Sequence, residues 1–300
     1  MIPKISIGLP VYNGEKFLQK KIESLLKQTN KDFELIISDN ASTDSTPTIC
    51  QEYVLKDKRI CYFRQGKNIG AIQNFRFVLE KAKADYFAWT AADDIILPEF
   101  LEKNIKILDS RKNIVCSISQ VDHYGERTES LKPRLDDSLL TRFVKKIKRH
   151  YNYIAVYPAS GSYEKKFRYY LKRREGFQMF YGVYRTDVLR KSMISDHITG
   201  FDWLTILNAV KYGDFHVIEE ILMLRYDGGD SSSGLFSYAR SFNLSLLATI
   251  FPYGSFTIWC AKNLGAKLFL RNLDCFIKIG WDSVFYLGVD VVRTLIRKIK

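Results

Sequence analysis

Two adjacent carboxylates, Asp93 and Asp94, follow a nearly apolar stretch and precede Ile95-Ile96-Leu97-Pro98. Like charges held between apolar runs repel each other unless something relieves them. A divalent cation is one relief. Magnesium or manganese takes one or two carboxylates as hard ligands and completes its shell with phosphate oxygens and water. Turn and helix-cap chemistry ahead of the next helix is the other. Asp39 stands at a strand-to-loop junction, in Ser38-Asp39-Asn40. A carboxylate there can accept from an imide or amide N–H of a nucleotide base, or form an ordinary Asp-Asn turn. Asn68-Ile69-Gly70 precedes a helix, where backbone N–H groups and a permissive glycine suit an anion. Asp202 opens a predicted helix in Gly200-Phe201-Asp202-Trp203. It can serve the helix dipole or take the proton of an acceptor hydroxyl as a general base, with His197 nearby.

These residues need elements to hold them, and the first ~120 residues alternate strand and helix patterns, the mark of an α/β layer fold with a mainly parallel sheet. Strands are expected at Lys4–Val11, Phe33–Ser38, Ile60–Arg64, Tyr86–Thr90 and Ile114–Val121. Helices are expected at Glu15–Gln28, Ser45–Leu55, Ala71–Lys83 and Pro98–Ser110, with Ser45 as a cap and Pro47 in the first turn. Residues Asp122–Phe177 read as irregular. Order returns at Gln178–Tyr184, then a helix at Phe201–Tyr212 and two short strands, Phe215–Ile218 and Ile221–Arg225. Ligands of open α/β sheets bind at the carboxyl ends of strands. Strand one ends in Pro10-Val11-Tyr12-Asn13-Gly14, strand two in Ser38-Asp39-Asn40, and strand four in Ala91-Ala92-Asp93-Asp94. Three strands therefore aim polar groups at one edge.

Composition excludes several other classes. The five cysteines, at 50, 61, 116, 260 and 275, form no CxxC pair and are odd in number, against a disulfide framework or zinc ribbon. The four histidines lack zinc spacing. No GxxxxGK[ST] or GxGxxG is present. The formal charge is +13. From Arg142 to Arg174 there are eleven Lys or Arg and one acid, a stretch that can meet anionic lipid, a phosphorylated substrate or nucleic acid, or be a solvated basic face. No RNA-recognition signature accompanies it, so no nucleic acid is expected as a partner. From Ser241 to Ala261 no residue is charged, and cations flank the run. Pro252 and Gly254 interrupt it, so an interfacial helix, packed soluble helices and a membrane span are all open readings.

Taken in order, the segments resemble family 2 glycosyltransferases with a GT-A fold. The matching pieces are LPVYNG at Leu9–Gly14, SDNASTDST at Ser38–Thr46, NIG at Asn68–Gly70 and WTAADDIILPE at Trp89–Glu99. FYGVYR at Phe180–Arg185, GFDWL at Gly200–Leu204 and YDGGDSSS at Tyr226–Ser233 complete the set. The resemblance implies a Rossmann-like mixed, mainly parallel sheet flanked by helices over residues 1–233, with a basic insertion at about 127–176. Residues 234–300 would be a hydrophobic helical tail. It implies that Pro10, Val11, Tyr12, Asn13, Asp39, Asn68 and Gly70 bind the donor. Asp93, with Asp94 adjoining, would hold Mn2+ or Mg2+ on the diphosphate, and Asp202 would be the catalytic base of an inverting transfer. Gly182, Trp203, Arg225 and Asp227 would stand near the acceptor or diphosphate. The first acid of the family's Asp-x-Asp motif is Ala91 here, and Asp227 stands where many relatives carry histidine. The implied partners are a UDP-, GDP- or dTDP-sugar and a glycan or lipid-linked acceptor, met at the cytoplasmic face of a membrane. The competing reading is a non-catalytic sugar-nucleotide binder or scaffold with the same fold.

Overall fold

The computed structural model describes residues 2–282 and 284, except 133, 135, 140, 144, 146–155, 173, 195, 197, 229–250, 252 and 283. His197 and much of the basic stretch therefore lie outside the described residues.

Strand β1 (Ile5–Val11), β2 (Phe33–Asp39), β3 (Ile60–Arg64) and β4 (Tyr86–Trp89) form the parallel half of an eight-stranded sheet, in the order β3-β2-β1-β4. β1 and β2 are buried almost throughout, as expected for strands covered on both faces. The covering helices are α1 (Glu15–Leu26), α2 (Thr46–Lys56) and α3 (Ala71–Lys81). Leu18, Ile22 and Leu25 bury one stripe of α1, and Lys21 lies within that stripe. Ser45 does not cap α2 with its side chain; the Asp44 carboxylate accepts the Thr46 N–H instead.

The sheet continues through β7 (Val183–Arg185), β6 (Ile114–Tyr124), β8 (Asp214–Tyr226) and β5 (Ile95–Ile96). Here β4–β7, β7–β6 and β8–β5 are antiparallel and β6–β8 is parallel, so the sheet is mixed. Helix α4 (Phe100–Ser110) packs beside β6. The architecture is the helix-flanked mixed α/β sheet expected.

Three local differences have clear causes. The two strands expected at 215–218 and 221–225 are one strand, β8. Ser119 pairs with Ile218, Gln120 with Ile221 and Val121 with Met223, so Glu219, Glu220 and then Leu222 are extra residues that bulge out of the pairing. Both acids are exposed, which is why the apolar run breaks in sequence while the strand does not break in space. β5 is too short to carry a periodic signal. The region read as irregular contains the helix Tyr163–Lys172, whose Phe167, Tyr170 and Leu171 are buried between basic residues.

After the Phe201–Ala209 helix and β8, the tail forms helices Gly254–Asn263 and Ala266–Arg271, followed by helical residues 273–282. Phe256 and Cys260 are fully buried and join the main core. The Phe256 ring stacks on Trp203 at 4.8 Å. The boundary expected at 233/234 falls outside the described residues. Among the described residues, no helix is long and apolar enough to cross a membrane.

Candidate active site

The loops at the carboxyl ends of β1 and β2 are tied to each other. The Asn40 N–H donates to the Val11 carbonyl, and the Asn13 N–H to the Ser42 hydroxyl at 2.9 Å. Asn13 Oδ1 accepts from the Thr43 N–H. Asn13 and Ala41 hold left-handed backbone (φ 50° and 62°), a conformation that non-glycine residues adopt only where contacts enforce it. Asn40 bridges onward. Its amide donates to Asn68 Oδ1, and its carbonyl oxygen accepts from the Ile69 N–H. Gly70, at φ 83°, starts α3 and donates its N–H to Asn68 Oδ1. The loop of residues 10–13 and the turn of residues 68–70 are thus joined through Asn40 into one wall, in which Val11 is buried and Tyr12 half exposed.

Asp39 lies at the base of this wall and is fully buried. One oxygen accepts the Ser42 N–H and the other the Tyr62 hydroxyl, both at 2.8 Å. The Arg64 guanidinium stands 3.7 Å away. Asp39 is therefore a constrained acceptor with its position fixed from two sides.

Across the edge, a Cβ placed on Gly14 would lie 3.7 Å from the Ala92 methyl, so the loop after β1 touches the loop after β4. The latter carries Asp93 and Asp94. β5 follows at once, and its register sets Ile95 against Leu224. That pairing brings Asp94 to Arg225 and Tyr226. The Tyr226 N–H donates to Asp94 at 3.3 Å, and Arg225 Nε lies 3.7 Å from the other oxygen. Burial pushes the Asp94 carboxyl up from its ordinary range, opposed by Arg225 and Lys21. Burial, and then the neighbouring Asp94 charge, push Asp93 up as well. Lys21 is 1% exposed and its ammonium makes no hydrogen bond. Burial lowers it to about 8, while Asp94 and Asp93 act to keep its charge. The Tyr124 hydroxyl donates to the Asp93 backbone carbonyl at 2.5 Å and fixes the loop.

Asp202 sits in the first turn of its helix, after Gly200 in left-handed backbone. One carboxylate oxygen accepts the Trp203 N–H at 2.9 Å. Burial raises its carboxyl to about 6, opposed by that N–H and by Arg225. Arg225 feels Asp94, Tyr181, Asp93 and Asp202 together and lies 5.2 Å over the Tyr181 ring. Of the three acids, Asp94 is the one that closely approaches the guanidinium, at 3.7 Å, and the Arg225 charge also bears on Asp93 and Asp202.

Other expected contacts have different places. The Trp203 side chain is wholly enclosed, its indole N–H donating to the Tyr170 carbonyl, so it holds the helix rather than touching a ligand. Gly182 is buried between β6 and the preceding turn. A Cβ there would meet Cys116 Sγ at 2.6 Å, so its role is close packing. Asp227 accepts the Thr128 N–H at the start of the short helix Glu126–Ser130, beside Gly125. Its carboxylate is spent on a helix cap. Lys21 and Tyr124 belong to no motif that the sequence marks, and Tyr181 only to the motif at Phe180–Arg185; Lys21 leaves a signal of its own, as a cation within the apolar stripe of α1.

Among the described residues, no group of three or more His, Cys, Asp or Glu converges on one point. Asp93 and Asp94 suit an ion that needs only one or two protein carboxylates and takes phosphate and water for the rest. The buried Asp94 oxygen without a hydrogen bond and the raised state of both carboxyls mark a place short of positive charge. Arg225 and Lys21 already serve Asp94. Asp93, partly open to solvent, is the one of the two that could hold such an ion.

Residues 6–136 match the family model for glycosyl transferase family 2. An uncharacterized glycosyltransferase of Methanocaldococcus jannaschii is 35% identical over 136 residues, covering 44% of this chain and 47% of the relative. One from Rickettsia typhi is 33% identical over 135 residues, covering 44% of this chain and 41% of the relative. The chain thus spans less than half the length of these relatives. Among solved structures, Staphylococcus aureus TarS superposes with a TM-score of 0.55 at 16% identity, over 87% of this chain and 44% of that one. Its fragment 1–349 has been solved with UDP and with UDP-GlcNAc. The mannosyltransferase PcManGT of Pyrobaculum calidifontis, in complex with GDP-Man and Mn2+, superposes at 0.52 with 14% identity, over 98% of this chain and 88% of that one. At such identities these structures speak for a shared GT-A-like fold.

Proposed function

We propose, from the premise that this chain belongs to glycosyl transferase family 2 through residues 6–136, that it moves a sugar from a nucleoside-diphosphate donor to an acceptor hydroxyl with inversion at the anomeric carbon. The observation that carries the reading is the Asp93–Asp94 turn beside Arg225, which lies 3.7 Å from Asp94 and whose charge also bears on Asp93 and Asp202. The UDP, UDP-GlcNAc and GDP-Man bound by the structural neighbours support a nucleoside-diphosphate-sugar donor.

In this reading the base and ribose lie along Pro10–Asn13 and the Asn68–Gly70 turn, with Asp39 as acceptor at the bottom. Asp93, assisted by Asp94, would hold Mn2+ or Mg2+, which supplies positive charge to the leaving diphosphate. Arg225 adds a fixed positive charge on the same side. Asp202, ionised above about 6, takes the proton from the acceptor hydroxyl. The oxygen then attacks the anomeric carbon on the face opposite the diphosphate, and the C–O bond to the diphosphate breaks. The acceptor is a glycan or lipid-linked hydroxyl compound met at the cytoplasmic face of a membrane.

Thermal-shift screening of UDP-, GDP- and dTDP-sugars with Mn2+ identifies the donor. With that donor, Asp202→Asn should lower transfer by about 10²–10⁴-fold, the usual range for a general base, while donor binding holds. Wild-type protein that binds the donor yet never turns it over would instead be a sugar-nucleotide binder of this fold.

A further inference from the structure

The tail helices bury Phe256, Cys260, Phe276 and Ile279 against the body of the protein and each other. Their remaining side is apolar and open. Ile258 is 57% exposed, Ile277 53% and Trp281 73%. These three line a groove of about 620 Å3 that runs from Phe251 to Val284. The polar side chains in its lining are those of Tyr253 and Thr257. A contiguous apolar surface of this kind is a place where something else binds.

The surrounding charge says what. Lys262, Lys267 and Lys278 are exposed on the same three helical segments. Residues 285–300, which follow in the sequence, add four Lys or Arg and one acid. An exposed tryptophan among aliphatic side chains, with lysines beside it, is the composition of a surface that enters the headgroup region. The rings and aliphatic groups go down and the ammonium groups stay at the phosphates. Among the described residues no helix is long enough to cross, so the segment would lie flat.

We propose that the face formed by Ile258, Ile277 and Trp281 docks on an anionic bilayer. The docked face is held firmly to the candidate active site. Phe256 stacks on Trp203, next to Asp202, and Arg168 pairs with Asp274 at 2.7 Å. Tyr253 lies against Gly200, two residues before Asp202. The helix carrying Asp202 is therefore presented beside the lipid surface. Only this last consequence, that the acceptor is met there, rests on the transferase reading.

The test uses the full chain without donor, sedimented with vesicles of phosphatidylcholine, with or without phosphatidylglycerol. The protein should pellet with the phosphatidylglycerol vesicles and stay in solution with phosphatidylcholine alone. Ile277→Ser with Trp281→Ser should abolish pelleting with an unchanged melting temperature. Lys278→Gln, which disturbs no packing, should weaken it about fivefold, the effect of roughly 1 kcal/mol per lysine near an anionic surface. Absence of pelleting with phosphatidylglycerol would overturn the proposal. So would a dimer in solution that the double substitution dissociates, because a second copy then covers the face. Pelleting that the double substitution leaves unchanged would also overturn it, since another surface then meets the lipid. Donor binding, measured without vesicles, reports separately on the transferase reading.

Discussion

At the scale of single residues, Asp202 makes the sharpest statement. Its carboxyl is raised from an ordinary 3.8 to about 6 by burial. A raised acid binds a proton more tightly when folded. Its stability contribution is therefore complete below about 4 and is lost as pH rises to about 6. At neutral pH the ionised carboxylate costs on the order of 1–2 kcal/mol, after allowance for its partial contact with water. Asp202→Asn should raise the melting temperature at neutral pH and leave it unchanged at pH 4, in scanning calorimetry. Transfer by the wild type should climb with pH through about 6, because only the ionised base accepts a proton. A flat profile would remove Asp202 from that role. Asp93→Ala should abolish Mn2+-dependent donor binding, read by calorimetric titration, with the fold intact on circular dichroism. Asp94→Ala is a different case. It leaves Lys21 buried without its main counter-charge, so a loss of stability is expected before any loss of binding.

At the scale of elements, the short strand β5 and the bulge of β8 matter more than their size suggests. β5 has two residues, yet its pairing with Met223 and Leu224 decides which side chains meet the Asp93–Asp94 turn. The irregularities at Glu219–Glu220 and at Leu222 shift the register of β8 against β6, and so set where Arg225 falls. Gly200 plays the matching part for Asp202. Its φ is 81°, and a Cβ would sit 3.2 Å from Tyr253. Gly200→Ala combines left-handed strain with this contact and should cost about 1–2 kcal/mol by urea denaturation. Turnover should fall with it, because the first turn that orients Asp202 must tilt. Gly265 shares the positive φ but has open space around its Cβ, so Gly265→Ala reports the backbone part alone.

At the scale of the molecule, the tail is part of the core. Phe256 covers the Trp203 indole, and Arg168 and Glu164 pair with Asp274 and Arg271. A chain ending at residue 250 would bare this surface. It should aggregate or melt well below the full protein in differential scanning fluorimetry. Phe256→Ala alone should cost about 3–5 kcal/mol, the range for removing a fully buried phenylalanine.

Apart from β5, the order of elements in residues 5–124 was legible from the sequence, because helix and strand periodicities are local and three of the strands end in polar clusters. Asp39, Asp93 and Asp202 stood out for the same reason, as acids at the ends of apolar segments. What the sequence could not settle depends on contacts between distant positions. Asp94 and Tyr226 are 132 residues apart, and nothing local to either announces the other. Trp203 looks like a ligand-binding aromatic in a linear reading and proves to be enclosed, since enclosure belongs to the helices packed around it. Asp227 looks like a site acid and is taken up by the Thr128 N–H. Local chemistry names the residues that can react; the pairing of β8 with β5 and β6 decides which of them share a charge.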